Sequence, residues 1–394
     1  MSENIVIVSA VRTPIGRYGG AFKEISSGHL ASIAITEAVK RANIALEQVD
    51  EVILGEVRQS TESSNVARVA ALRSGISETA PAFTVNRLCA SGMQAIASAA
   101  QQISSNQAKI IVAGGTENMS RAPLYIRNTR FGGDRSVLVD SNTENGQQPQ
   151  EVYGRNLGMG ITAENVAEKY NISREDQDAF AVESQRRTAK AIEDEKFKAE
   201  IVPVEIKDKK GKVIINTDEH PRPKITIEKL SSLKPVFKEN GTVTAGNACG
   251  RNDGASALVL MKENEAVRLG LKPLARIVDW SAVGVSPEVM GVGPVPAVTK
   301  LLERTGKKID DIGLFELNEA FASQSLAVIR ELHLDVSKVN VNGGAIALGH
   351  PVGSTGARIV VTLIHELIRR QERFGIATLC VGGGQGMAIM IETI

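Results

Sequence analysis

The sequence predicts an α/β fold. Three observations predict it. Short unbroken apolar runs suit strands buried on both faces. Helical segments lie between them. A strand–loop–helix–strand pattern then occurs near both ends of the chain. Ile5-Val6-Ile7-Val8 is the first apolar run, and Ser26 to Ala42 follows as a helix with Leu30, Ile33, Ile35 and Val39 as its apolar positions. Val52-Ile53-Leu54 is a second strand. Phe83-Thr84-Val85 is a third, leading through Asn86-Arg87-Leu88-Cys89 into a helix from Ala90 to Ile103. Lys109 to Ala113 is a fourth, closed by Gly114-Gly115.

From Ser120 to Gly246 the character changes. The stretch is polar, includes Gly146-Gln147-Gln148-Pro149-Gln150 and Asp208-Lys209-Lys210-Gly211-Lys212, and carries helical segments over Thr162 to Lys169 and Arg174 to Lys198. It reads as an inserted domain running over the surface of the first. After Gly254 the apolar pattern resumes, with a strand at Ala275 to Val278. Phe315-Glu316-Leu317 precedes a helix from Glu319 to Leu332. Val339 to Asn342 precedes a glycine-rich loop and a helix from Gly353 to Arg370, and Ala377 to Val381 ends at Gly382-Gly383-Gly384. Thr84-Val85-Asn86 with Ser91-Gly92 matches Asn340-Val341-Asn342 with Thr355-Gly356, so an internal duplication is expected. The domain division that follows is 1–120 with 249–272, then 121–248, then 273–394.

Composition narrows the function. The 394 residues hold 46 Lys and Arg against 45 Asp and Glu, so a net charge of +1 gives no drive toward nucleic acid or an anionic membrane. Three cysteines make no disulfide framework, which suits a reducing, cytoplasmic setting. Met1-Ser2-Glu3-Asn4 leads into an apolar strand without a basic leader, and no run is long enough to cross a bilayer, so neither secretion nor membrane insertion is expected. There is no G-x-x-x-x-G-K-[ST] loop, no G-x-G-x-x-G after the first strand, and no C-x-x-C or H-E-x-x-H; neither a nucleotide fold nor a metal site is expected.

Four positions suit chemistry. Cys89 sits between a strand end and a helix, where a helix N-terminus can lower a thiol pKa; the same position suits an inert buried cysteine. His350 lies among glycines and before Pro351, as a site residue or a turn residue. Cys380 ends a strand before three glycines whose amides suit an oxyanion, or it packs in the core. Asn318 either caps the next helix or holds a water in the site. His29, His220, His333 and His365 read as surface or packing residues, and Cys249 as a contact residue in a flexible loop.

Taken together, the motifs resemble the thiolase family over almost the whole chain. The segments that carry the resemblance are Val11 to Gly16, Asn86 to Gly92, Gly114 to Ser120, Thr242 to Gly254, Met290 to Pro294, Asn318 to Phe321, Gly343 to Gly356 and Cys380 to Gly386. The resemblance implies a duplicated, five-layered αβαβα core with an inserted loop domain. It also implies a homodimer or homotetramer, and ping-pong chemistry on 3-ketoacyl-CoA with coenzyme A as a substrate rather than a resident cofactor. It assigns the nucleophile to Cys89, the base to His350 and the second acid–base to Cys380. Asn318 with a water, together with His350, forms one oxyanion site, and the amides of Cys89 and Gly382 form the other. CoA or acyl contacts fall on Met159, Arg222, Leu233, Phe237, Ala245, Cys249, Met290, Ala320 and Phe321.

The sequence departs from short-chain members of the family. Gly158 stands for a histidine, Cys249 for a serine, Arg251 for a leucine and Lys229 for a serine, while Arg87 resembles degradative members. The missing histidine implies a roomier acyl pocket. A ketoacyl-synthase-like condensing enzyme is the nearest alternative, and Cys380 in place of a second histidine argues against it. A non-catalytic CoA or lipid carrier on the same scaffold would have lost one of the reacting groups.

Overall fold

The computed structural model describes residues 4–132, 135–154, 156–208 and 211–394. Met1-Ser2-Glu3 and the Lys209-Lys210 pair lie outside them. Nine strands form the path of the main sheet: β1 (Ile5–Arg12), β2 (Glu51–Gly55), β3 (Ala82–Val85), β4 (Ile110–Asn118), β5 (Asn252–Lys262), β6 (Ala275–Gly284), β7 (Leu314–Leu317), β8 (Phe374–Val381) and β9 (Gln385–Thr393). Their order is β7-β8-β9-β6-β1-β5-β4-β2-β3, and the short strand Gly16–Arg17 pairs with β5.

The duplication expected from the motifs is visible in this order. Reading outward from the β1–β6 junction, each side runs antiparallel, antiparallel, then parallel. On one side the outermost partner is strand β3, parallel to β2. On the other it shrinks to a single parallel bridge between Val339 and Phe315 of β7. The second half has no full strand there because Asn340 takes φ 45° and turns its amide inward, donating to Leu317 O and to Glu319. The junction is narrow: Val6 pairs with Arg276 and Ile7 with Ala275.

Helices complete the layers. Helices α1 (Ser27–Arg41) and α2 (Val66–Arg73) cover the outer face of the first half-sheet. Helix α3 (Ser91–Ser104) lies on the inner face. In the insertion, α4 (Met159–Lys169) and α5 (Arg174–Glu193) follow. Helices α6 (Pro294–Thr305) and α7 (Ala322–Glu331) cover the outer face of the second half-sheet. Helix α8 (Val352–Arg370) packs beside α3, and the two share one apolar core with both half-sheets, including Ile53, Ile111, Met93, Ile96, Leu363, Leu379 and Ile389. The five layers are therefore α1/α2, half-sheet, α3/α8, half-sheet, α6/α7.

Helices α3 and α8 approach with almost nothing between them. A Cβ on Gly92 would stand 2.8 Å from the amide nitrogen of Ala357, and one on Gly356 would stand 2.5 Å from that of Met93. The sequence reading ended a strand at Gly114-Gly115, but β4 runs through both to Asn118. These glycines are strand residues because side chains there would collide with the carbonyls of Ser256 and Gly353.

The insertion adds two hairpins, Leu124–Arg127 with Val137–Asp140 and Val204–Asp208 with Gly211–Ile215. Arg12 at the end of β1 clasps the insertion to the core. Its buried guanidinium donates to Glu200 at 2.6 Å and to both oxygens of Asp218 at 2.7 and 2.9 Å. At the other end, Glu164 of α4 accepts from the amides of Thr242 and Val243 and so shapes the loop that leads to Cys249.

Candidate active site

The turn that presents Cys89 is built by its neighbours. Leu88 has φ 47°, a strained conformation for a side chain with a Cβ, of the kind that costs about 1 kcal/mol or more. Ser91 holds the turn closed: its Oγ accepts from the Arg87 amide at 2.9 Å and donates to Leu88 O at 2.6 Å. The backbone amides of Gly382 and of Cys89 itself favour the ionised form of the Cys89 thiol. The helix N-terminus was expected to lower its pKa. Instead, burial pushes the thiol up, outweighing those two amides, so Cys89 rests protonated and needs a base.

His350 stands two residues before α8, the helix packed beside α3. Its amide donates to Asn252 Oδ1 at 2.9 Å, and its Nδ1 lies 2.7 Å from Thr355 Oγ1. The single hydroxyl proton of Thr355 goes to Pro351 O at 2.9 Å, so Thr355 accepts from Nδ1–H. That fixes the tautomer and leaves the Nε2 lone pair free. Burial, helped by the charge of Arg358, holds the imidazole pKa down to about 3, so it is neutral at rest.

Cys380 is fully buried at the end of β8. Burial pushes its thiol well up, with further upward contributions from Cys89 and then Cys249. Cys249 is likewise pushed up to about 12, first by burial and then by Cys89. The three free cysteines therefore share one electrostatic neighbourhood, with two of them held as firm proton carriers. Asn318 does not cap α7. That helix begins at Ala322 with Phe321 at its N-cap position, and the buried amide of Asn318 has neither atom hydrogen-bonded within the protein. A buried amide left open in this way is suited to a water or substrate oxygen.

The residues expected to contact substrate divide into two groups. Met290, Ala320 and Phe321 are buried in one cluster with Cys380, Ala163 and Val243, and Met159 packs against it. This makes an apolar wall beside the thiols. Leu233, Phe237, Ala245 and Arg222 lie farther out. Phe237 is exposed, stacks edge-on to Phe321 with ring centres 6.4 Å apart, and lies over Gly160. Arg222 and Ala245 are exposed, and Leu233 packs over Gly246. Cys249 joins the groups: its amide donates to Ala320 O at 3.0 Å.

Three residues gain a place the sequence did not show. The space left by Gly158 is not empty: a Cβ there would meet the amide of Asn145 at 2.9–3.0 Å, so the missing histidine does not by itself widen the pocket. His220 is no free surface residue; its ring lies on Gly250, under the loop that carries Cys249 and Asn252. Asn252 braces His350 from 98 residues away in sequence, a contact no spacing rule reveals. Among the described residues, no group of three or more His, Cys, Asp or Glu is arranged to hold a metal ion, and no helix is long and apolar enough to cross a membrane.

The chain and its fold are similar to known proteins. Residues 5–264 match the family description "Thiolase, N-terminal domain" and residues 271–393 match "Thiolase, C-terminal domain". An acetyl-CoA acetyltransferase of Syntrophomonas wolfei is 50% identical over 400 residues, covering 100% of both chains. The solved acetyl-CoA acetyltransferase of Bacillus anthracis superposes with a TM-score of 0.97 at 49% identity, covering 100% of this chain and 99% of that one. Human mitochondrial 3-ketoacyl-CoA thiolase in complex with CoA does so with a TM-score of 0.94 at 43% identity, covering 100% and 98%.

Proposed function

The chain belongs to the thiolase family and is an acyltransferase, and on that premise we propose the part each residue of its site takes in cleaving 3-ketoacyl-CoA to acetyl-CoA and a shortened acyl-CoA. His350 Nε2 takes the Cys89 proton, and the thiolate attacks the keto carbon. The oxyanion is met by the amides of Cys89 and Gly382. The bond between the keto carbon and its neighbour breaks; its electron pair becomes the enolate of acetyl-CoA, and the shortened acyl group stays on Cys89 as a thioester. Cys380 gives its proton to the enolate carbon, while His350 and a water held by Asn318 carry the enolate oxygen. The Cys380 thiolate takes the proton back from His350, the freed imidazole deprotonates CoA, and the CoA thiolate takes the acyl group from Cys89, whose leaving thiolate recovers the proton from His350. The whole sequence runs in reverse for condensation.

The observation that carries this reading is the Cys89 thiol beside the backbone amides of Gly382 and Cys89, at the head of a helix packed against the one that His350 precedes. Its test is Cys89→Ser. Acyl transfer should vanish while CoA still binds; turnover above about 1% of wild type would remove Cys89 as the nucleophile.

The apolar wall of Met159, Met290, Ala320 and Phe321 supports substrates longer than acetoacetyl-CoA and a place in fatty acid metabolism. Thiolysis of acetoacetyl-CoA and of 3-ketodecanoyl-CoA should be compared. A preference of about tenfold for the four-carbon substrate, roughly 1.4 kcal/mol in the barrier, would refute the longer-chain reading. CoA itself would lie along Arg222, Leu233, Phe237, Ala245 and Cys249. The free thiols support a cytoplasmic setting. A homodimer or homotetramer is supported by the hairpin at Leu124–Arg127, where Leu124, Ile126 and Leu138 are each more than 60% exposed.

A further inference from the structure

Gly382 brings an amide hydrogen to the nucleophile, and its missing side chain leaves a face of the turn open. Three side chains cover that face. A Cβ at Gly382 would stand 3.1 Å from Cγ of Gln147, 3.2 Å from Cδ1 of Leu88 and 3.4 Å from the sulfur of Met159. The backbone of Gln147 is seated there as well: its carbonyl oxygen would be 2.5 Å from a Cβ at Gly383. Gln147 is therefore held at both the backbone and the side chain against the turn that serves Cys89.

Its surroundings are apolar, with Leu88 and Met159 on either side and Met290, Ala320 and Phe321 beyond. Yet its Oε1 is buried without a hydrogen-bond partner in the protein. Neighbouring Gln148 also has an unpartnered Oε1, but its Nε2 donates to Leu157 O at 2.7 Å and ties the loop together, and it is Gln147 that lies against the glycine turn. An amide with an open acceptor in an apolar wall is unfavourable unless something that enters the pocket completes it. A hydroxyl suits a primary amide, because each can donate and accept.

We propose that Gln147 is a specificity-determining residue, and that the preferred substrate is a 3-ketoacyl-CoA whose transferred acyl group carries a hydroxyl close to the thioester. This deepens the thiolase reading and rests on it. A pocket that hydrogen-bonds a substrate hydroxyl discriminates against the analogue that lacks it, because the pocket amide is then left unpaired.

The test compares thiolysis of 5-hydroxy-3-oxohexanoyl-CoA and 3-oxohexanoyl-CoA, which leave 3-hydroxybutanoyl and butanoyl groups on Cys89. Wild-type kcat/KM should favour the hydroxylated substrate by about tenfold or more. Gln147→Leu and the near-isosteric Gln147→Met should bring the ratio close to one, with a gain on the plain chain. A wild type that prefers the plain chain overturns the proposal, whether or not the variants fold. So does an unchanged ratio in the variants, since equal loss on both substrates would make Gln147 a support for the glycine turn. Acetoacetyl-CoA serves as the control: if the wild type cleaves none of the three, the thiolase reading itself falls, and this proposal with it.

Discussion

Thr355 is the residue on which the resting state of the base depends. It accepts from His350 Nδ1 because its own proton is committed to Pro351 O, and so the free lone pair of the imidazole falls on Nε2. Thr355→Ala should lower kcat by roughly tenfold or more with little change in KM, while Thr355→Ser should keep most of the activity. Steady-state kinetics on one 3-ketoacyl-CoA decides this, and equal activity in the alanine variant would contradict it. Cys380→Ser should still form the acyl-enzyme from an activated acyl donor, seen by mass spectrometry, yet fail in thiolysis; a fully active variant would require another acid. As candidates, Cys89, His350 and Cys380 stand out in the sequence because each lies at a strand end or among glycines. Thr355 was legible only as a repeat marker, and Gln147 and Asn252 were not legible as site residues, because their partners lie far along the chain. The direction of the Cys89 shift was misread for a related reason: a helix terminus is visible in sequence, whereas the burial that outweighs it is a property of the assembled layers.

At the scale of elements, the two central helices carry the argument. The sequence places both, each after a strand and a loop, and marks their glycines as a repeat. It did not show that Gly92 and Gly356 face backbone on the opposite helix. Gly356→Ala should force α3 and α8 apart and destabilise the protein by about 1–3 kcal/mol, measured as a lower denaturant midpoint. An unchanged midpoint would mean that the contact can relax. The glycines of β4 were misplaced in a turn for the same reason, since a glycine that ends a strand and one that admits a neighbouring carbonyl look identical in sequence. The hairpin strands of the insertion also escaped notice; Leu124–Arg127 is exposed throughout and offers no buried face to produce an alternating pattern.

For the whole molecule, the internal charges set a pH response. Glu56 is pushed up to about 8, by burial first and then by Glu117; Glu316 is also pushed up to about 8, chiefly by burial. In the unfolded chain both would ionise near 4.3, so their protons favour the fold fully below that value, and the advantage is lost as pH rises toward 8. His350, held down to about 3, and His220, held down to about 4, work in the opposite direction, but only below about 6.5, where unfolded imidazole takes up protons. Between pH 6.5 and 8 the melting temperature should therefore fall, and Glu56→Gln should flatten the decline; a rise across that interval would contradict the assignment. The clasp from Arg12 to Glu200 and Asp218 joins core and insertion, so Arg12→Met should cost about 3–5 kcal/mol by stranding two buried carboxylates. The oligomer contact proposed at the exposed hairpin predicts that replacing Ile126 and Leu138 together by aspartate lowers the mass seen in light scattering without unfolding the subunit; an unchanged mass would remove that contact.

The bare contact between α3 and α8 has a consequence for how this catalyst can diversify. Cys89 lies at the head of one helix and His350 two residues before the other, and peptide atoms, not side chains, gauge the gap between them. That gauge cannot drift with gradual changes in core volume. The acyl wall, by contrast, takes Met159 from the insertion, with Gln147 beside it, and Met290, Ala320 and Phe321 from the C-terminal part of the chain. Selection on substrate range can therefore work through these side chains while the dimension that bond-making depends on stays constant, and variant libraries confined to residues 143–160 should yield altered acyl preference more often than inactive protein.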